Sequence, residues 1–366
     1  MGIEDHRFPC DNCGSDLRYD PDSVRLVCDH CGNSQPIETD LAARRGAIEE
    51  HDFRAAFEAL ADATPTEETR VSKCPNCGAS IEFDEEVHAK ECPYCATPVV
   101  TDTGTHRQIK PAAVLPFELD EERARDAMKD WLGSLWFAPN GLADYARKGR
   151  RMSGIYTPCW TFDADTSTNY DGQRGTVHTK SHTVYHKGKP KRVTTSEVHW
   201  KHVSGRVSRF FDDVLVLAST ALPEKFRRGM AHWDLSRLEP YMPEYLAGFR
   251  AESYTIGLTD GWKTSRQIMD RQIRRDIKFD IGGDRQKIDQ MQTRVSNVTF
   301  KHILVPLWLA AYKYRGKSYR FVVNGQTGEV QGERPWSAWK LFLAFLVAVV
   351  VAAGLGYLWA KSEGQI

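Results

Sequence analysis

Eight cysteines in two matched sets constrain this chain more than any other feature. Cys10, Cys13, Cys28 and Cys31 read C-x2-C-x14-C-x2-C, and Cys74, Cys77, Cys92 and Cys95 repeat that spacing 64 residues on. The repeat goes beyond the cysteines: Gly14 matches Gly78, Leu17 matches Ile81, Tyr19 matches Phe83 and Asp20 matches Asp84. Two thiolates three residues apart on a tight turn point to one side, so two such turns can close a four-thiolate shell around a metal ion. Glycine after the second cysteine tolerates the left-handed backbone that such a turn needs. Apolar, β-prone residues after each first turn predict short strands, which is the zinc-ribbon arrangement. A disulfide framework expects a secreted chain, and Met1 to Cys13 has no apolar run that would read as a signal peptide. A thioredoxin-type redox pair would be one C-x-x-C beside a βαβ pattern. Four thiolates do not exclude iron, and two structural Zn2+ sites are the expectation.

Net charge is zero, yet the two parts of the chain differ strongly. Residues 1–105 hold 22 Asp+Glu against 9 Lys+Arg, and residues 106–366 hold 27 against 40. Filled four-thiolate sites would add further negative charge to the first part. An acidic ribbon region does not grip a phosphate backbone unaided, since that requires clustered Lys and Arg. Eight of the nine cysteines belong to the ribbons and must stay reduced, which places this part in the cytosol.

Taken in order, the chain divides into a first zinc ribbon (1–38), a helical spacer and linker (39–70), a second ribbon (71–100), an α+β domain (109–334) and an apolar span (341–360). The expected helix of the spacer runs from Thr39 to Leu60, capped by Asp40, with Phe53, Phe57 and Leu60 on one face. Asp120 to Leu135 reads as an amphipathic helix capped by Asp120, with Ala124, Met128, Trp131 and Leu135 together. Four strands follow at Ile155–Ala164, Gly175–Tyr185, Lys191–Val203 and Phe210–Leu217. Helices are expected at Pro223–Ala231 and Trp262–Ile277, then strands at Asn297–Tyr314 and Ser318–Val323. Ile155-Tyr-Thr-Pro-Cys-Trp160 matches Ile303-Leu-Val-Pro-Leu-Trp308 at three positions, 148 residues apart, and leaves open two related α+β lobes. Leu341 to Ala360 is 20 residues without a charge, enough helix to cross a bilayer core of ~30 Å. Trp336 and Trp339 precede it and Tyr357 and Trp359 close it, as interfacial aromatics do. A single span with the N-terminus in the cytosol is expected.

Catalytic patterns are weak. Gly257-Leu-Thr-Asp-Gly-Trp-Lys-Thr264 fails as a P-loop, because Trp262 stands where a glycine must let amides wrap phosphate. His178, His182 and His186 share one face of a strand at ~13 Å intervals, too far apart to bind one metal, and read as exposed sheet histidines. Cys159 reads as a buried core thiol. The basic runs Arg147–Arg151, Lys187–Arg192 and Arg271–Lys278 read as solvated faces or as surfaces for anionic lipid.

Two C-x2-C-G ribbons, Gly154-Ile-Tyr-Thr-Pro-Cys-Trp-Thr-Phe-Asp-Ala164, His302-Ile-Leu-Val-Pro-Leu-Trp-Leu-Ala-Ala-Tyr312, Tyr319-Arg-Phe-Val-Val-Asn-Gly-Gln-Thr-Gly328 and a C-terminal span together resemble a bacterial family of membrane-attached proteins with TFIIB-type zinc ribbons. Members are often labelled primosomal protein N′ (replication factor Y) or superfamily II helicase. Some relatives look like membrane partners of phage-shock-type and flotillin-like envelope-stress proteins. The resemblance implies the eight cysteines as zinc ligands and an adaptor role. The expectation is therefore a non-enzymatic, membrane-anchored cytosolic protein: two small β zinc ribbons standing off an α+β domain, one C-terminal transmembrane helix, and a protein partner. The alternative is a nucleic-acid-binding protein linked to replication or transcription.

Overall fold

The computed structural model describes residues 8–37, 48, 50–59, 66–73, 80–82, 89–91, 98–100, 105–139, 152–186, 189–230, 232–314 and 317–362. The first ribbon is a three-stranded antiparallel sheet of β1 (Leu17–Asp20), β2 (Arg25–Cys28) and β3 (Ser34–Pro36). Leu17 and Tyr19 alternate inward on β1, and Leu26 and Cys28 on β2. It does not stand off the rest of the chain. Tyr19 is buried, its N–H donates to the Ala247 carbonyl at 3.0 Å, and its ring meets Tyr245 edge-on at 5.4 Å. Gly248 sits at φ +80°, and a Cβ there would lie 2.5 Å from Cγ of Arg18. The contact therefore needs glycine both for its conformation and for its bulk.

The spacer differs from expectation. His51–Asp52 (β4) are extended and pair with Thr299 and Phe300, and the helix α1 starts only at Phe53, running to Ala59. Asp52 meets its first turn, accepting from the Ala55 N–H at 2.7 Å. Residues 38–47, including Thr39 and Asp40, lie outside the described residues. Then come β5 (Thr66–Lys73), β6 (Ser80–Glu82), β7 (Ala89–Glu91), β8 (Pro98–Val100) and β9 (Thr105–Ile109). β7 and β8 pair as Ala89↔Val100, Lys90↔Val99 and Glu91↔Pro98. Shifted by 64 residues, that is the Arg25↔Pro36, Leu26↔Gln35, Val27↔Ser34 register of the first ribbon.

The α+β domain is built on long strands. After β10 (Ala113–Val114) and α2 (Glu121–Ser134) come β11 (Ser153–His186) and β12 (Lys189–Leu217). α2 matches its sequence signal: Asp120 caps it, accepting from the Arg123 N–H at 2.7 Å, and Ala124, Met128 and Leu132 face the core. Next are α3 (Glu224–Gly229), β13 (Glu239–Pro240), β14 (Arg250–Ala251) and α4 (Leu258–Ile281). β15 (Arg285–Tyr314), β16 (Lys317–Asn324), β17 (Val330–Gly332) and α5 (Ala338–Ser362) complete the chain. Where four strands were expected between 155 and 217, two continuous ones run. The breakers are absorbed as register shifts at Asp163/Asp165 and Asp171/Gly172, so the ladder bends without ending. At ~3.3 Å per residue, β11 is about 110 Å long. β12, β11 and β15 lie side by side as a blade, and α4 lies along it. Its buried residues Leu258, Gly261, Ser265, Met269, Ile273, Ile277 and Ile281 recur every three or four positions.

The faint Pro-x-Trp repeat is a structural one. β11 and β15 are antiparallel with Tyr156↔Pro306, Thr157↔Val305 and Pro158↔Leu304, so the two motifs cross at Thr157/Val305 on a local two-fold axis. β10 adds parallel to β15 through Ala113↔Ile303, and β14 adds parallel to β11 through Ile155↔Arg250. The Pro158 carbonyl accepts from Ala218 at 2.8 Å, and that of Pro306 from Gly325 at 2.9 Å. Each proline lies where the neighbouring strand ends, so the ladder needs its carbonyl but not the N–H it lacks. Trp160 Nε1 donates to the Ile256 carbonyl and Trp308 Nε1 to the Leu119 carbonyl, both at 2.9 Å. Each acceptor stands just before a helix, α4 or α2. The halves are thus crossed: the helix leading into β15 is tied to β11, and the helix leading into β11 is tied to β15. They form one interlocked unit, not two separate lobes.

His302 shows what this core demands. It is fully buried, its ring lies 4.9 Å from Trp160, and Nδ1–H donates to the Ile109 carbonyl at 2.7 Å. Burial pulls its pKa down to about 4. The unfolded chain, with an ordinary value of ~6.5, therefore binds a proton that the folded chain refuses. This contribution to stability is present above pH ~6.5 and is lost as pH falls toward about 4, amounting to roughly 3 kcal/mol. Urea unfolding across this pH range is expected to show that slope, and His302→Gln to remove it.

Candidate metal centre

Cys10, Cys13, Cys28 and Cys31 come together. Their four sulfurs all lie within 4.8 Å of one another, with Cys10–Cys31 at 3.6 Å and Cys13–Cys28 at 3.5 Å. A tetrahedral ion with bonds of about 2.3 Å separates its sulfurs by about 3.8 Å, so the cluster fits a four-thiolate site. Two like turns build it. Gly14 N–H donates to the Cys10 carbonyl at 2.8 Å and Gly32 N–H to the Cys28 carbonyl at 2.9 Å. Both glycines adopt φ +73° with open space beyond, so conformation and not crowding requires glycine there. Cys10 and Cys28 are buried, Cys13 and Cys31 exposed.

The surroundings favour thiolates unevenly. The backbone N–H and hydroxyl of Ser15 and the Cys31 thiol bring Cys13 down to about 6. Burial works against ionisation of Cys10, but the amides of Asn12 and Cys13 and the Asn33 side chain outweigh it. Asn33 Nδ2 reaches the Cys10 sulfur at 3.6 Å, a supporting contact that the cysteine spacing did not point to. At Cys28 the amides of Cys31 and His30 favour the thiolate, yet burial and the neighbouring thiols push it up to about 11. That crowding of ionisable sulfurs is relieved by a divalent cation. An ion held by all four has no open coordination position, which suits a structural role. Cys74, Cys77, Cys92 and Cys95 lie outside the described residues.

The other sites weighed in the sequence resolve as structure. Gly257 is the N-cap of α4 and Lys263 pairs with Asp260 on its exposed first turn at 2.8 Å. Trp262 turns inward, 5.2 Å from Phe53 and 5.4 Å from Phe162. His178 and His182 are exposed on the outer part of β11, and His178 meets His199 across the ladder at 4.6 Å. Cys159 is buried, with its thiol held protonated by burial. A cluster the sequence did not flag surrounds Lys301, a nearly buried cation facing Asp213 at 2.7 Å, Glu50 at 3.1 Å and Asp163 at 3.7 Å. It fastens the spacer to the blade. The C-terminal helix is long and apolar enough to cross a membrane over Ala338–Trp359, and none of that stretch is buried against the rest of the chain.

No protein-family model matches the chain, and no solved structure matches it. The uncharacterized protein YdjG of Bacillus subtilis (strain 168) is 24% identical over 339 residues, covering 91% of each chain.

Cys13→Ser is expected to lower the metal content of the purified chain by one ion, read by elemental analysis. It should leave α4 and the blade folded, since their core of Trp160, Phe300 and Ile273 does not include the ribbon.

Proposed function

We propose that the protein is a non-enzymatic adaptor, anchored in the cell membrane by α5 with its N-terminus in the cytosol, and that it recruits a protein partner. In this reading Cys10, Cys13, Cys28 and Cys31 hold one structural Zn2+, and Cys74, Cys77, Cys92 and Cys95 hold a second. The matching β7–β8 register supports the second ribbon, and thiolate donors in a tetrahedral set favour zinc.

One observation carries the adaptor reading. β15 ends against Gly175, so beyond it β11 and β12 continue alone from Thr176↔His199 to His186↔Lys189. This arm has exposed side chains on both faces, and among the described residues neither of its outer edges is paired. Open strand edges bind extended protein segments by adding a strand, with side-chain alternation supplying selectivity. Such an arm, projecting from a body fixed to a membrane helix, suits recruitment.

The arm's charge favours a second reading. Lys180, Lys187, Lys189, Lys191 and Arg192 are countered there by Glu197 alone among the acidic residues of 176–199. A basic two-stranded ribbon also fits the major groove of DNA.

Two measurements test these readings. Capture from detergent-solubilised membranes should yield a partner with the full chain and lose it when residues 177–198 are replaced by a short turn or when residues 1–105 are removed. If capture instead yields nucleic acid, with affinity falling steeply as salt rises, the second reading takes first place. Separately, phosphate release from ATP should be absent with or without single-stranded DNA. Turnover that is stimulated by DNA and lost in Lys263→Ala would sink the non-enzymatic reading.

A further inference from the structure

The start of α5 is not a free tether. Ser337 N–H donates to the Phe137 carbonyl at 2.8 Å, and Lys340 Nζ donates to the carbonyls of Trp136 at 3.1 Å and Ala138 at 2.8 Å. The Phe137 ring lies 6.3 Å from Trp336, and the Arg334 guanidinium sits 4.2 Å above the same indole. The turn that follows α2 is thereby clamped to the first turn of the apolar helix. Its other end is fixed as well, because α2 buries Ala124, Met128 and Leu132 and lays Trp131 over Gly332.

This clamp leaves a large aromatic facing out. Trp136 is 83% exposed, Trp339 70% and Trp336 56%, and the Trp136 carbonyl is held by Lys340 at the start of the apolar helix. Three indoles thus gather where the apolar helix begins, two from its own approach and one from a turn some 200 residues earlier. Indole is the side chain best suited to the boundary between acyl chains and headgroups, having a broad apolar face and one N–H donor. Arg334 adds a cation for the phosphates at that level.

We propose that the Trp136 turn, with Trp336, Trp339 and Arg334, forms a seat for the headgroup boundary of an anionic phospholipid bilayer, so that the α+β domain touches the membrane at a second point beside its helix. This rests on the reading that α5 spans the bilayer. Two points of contact fix the tilt of the domain, where a helix alone would let it swivel.

The test uses the full chain reconstituted into vesicles of phosphatidylcholine and phosphatidylglycerol whose acyl chains carry bromine at a shallow or a deep position. Emission is compared for the wild type, Trp136→Phe, Trp339→Phe and Trp359→Phe. Trp136 is exposed, so its replacement is not expected to disturb folding. The emission lost in Trp136→Phe should be emission that shallow bromines quench strongly and deep bromines weakly. If the lost emission is quenched by neither, while Trp339 and Trp359 are quenched, the seat is overturned and the span stands. If none of the three is quenched, the span reading falls and the seat with it.

Discussion

Two indole N–H groups decide how this chain is threaded. Trp160 and Trp308 each donate to a carbonyl that immediately precedes a helix, and each helix belongs by sequence to the other half. The acceptors stand at helix entries, outside any strand ladder, where a lone carbonyl is easily left unpaired. A buried indole N–H without a partner would cost ~1–3 kcal/mol, so both ends of each bond need the other. Close packing reinforces the choice on one side. A Cβ on Gly261 would stand 2.7 Å from Cδ1 of Trp160, so α4 approaches that indole as closely as a helix can. Phe117 lies 5.1 Å from Trp308, and Tyr254 lies 5.1 Å from Trp160. With these bonds in place, β11 and β15 lie antiparallel across the axis at Thr157/Val305, and the remaining strands add outside them.

The periphery depends on that centre in a graded way. The spacer is held by the charge cluster at Lys301, which sits on β15 one residue before His302. Burial works against Glu50, but Lys301 holds its carboxyl below the usual range, while burial pushes Asp163 up. One cation so enclosed by carboxylates stays charged because removing it would strand them without compensation. The first ribbon is held more lightly. It contributes few large side chains, and a unit of that size buries little core of its own, so an ion on the four cysteines would add to its stability. Tyr19 is its main purchase on the body, through Tyr245 and the Ala247 carbonyl.

What was legible in the sequence was local. The cysteine spacing, the glycines at φ +73°, the Asp120 cap with Ala124 and Met128 behind it, and the uncharged run of α5 are all set by residues a few positions apart. What escaped was set by distant partners. Asp165 and Asp171-Gly172 look like strand ends, yet the ladder carries on through them with shifts of register, because neighbours on both sides hold it in place. Lys301 reads as an ordinary exposed lysine until Glu50 and Asp213 are brought to it. Gly248 and Arg18 are more than 200 residues apart, so no pattern in either segment announces the docking of the ribbon. The Pro-x-Trp repeat lies between these cases. Its residues were visible, but its crossed connection depends on which helix each indole finds.

The crossed core also bears on reach. Glu333 N–H donates to the Arg320 carbonyl and Ser337 N–H to that of Phe137, so the stretch from β17 to α5 is bonded at both ends. Arg320 pairs with Ala311, near the end of the blade opposite the hairpin that joins His186 to Lys189. A Gly/Ser linker at 333–337 would let the domain wander as a coil. Bonded as it is, the stretch ties the start of the helix to β16 and to the turn after α2. The tip of the arm then lies about 110 Å along β11 from the start of that strand. Shortening the blade by an even number of residue pairs would preserve which side chains face α4, whereas removing an odd number would turn the inward residues beyond the cut to the other face.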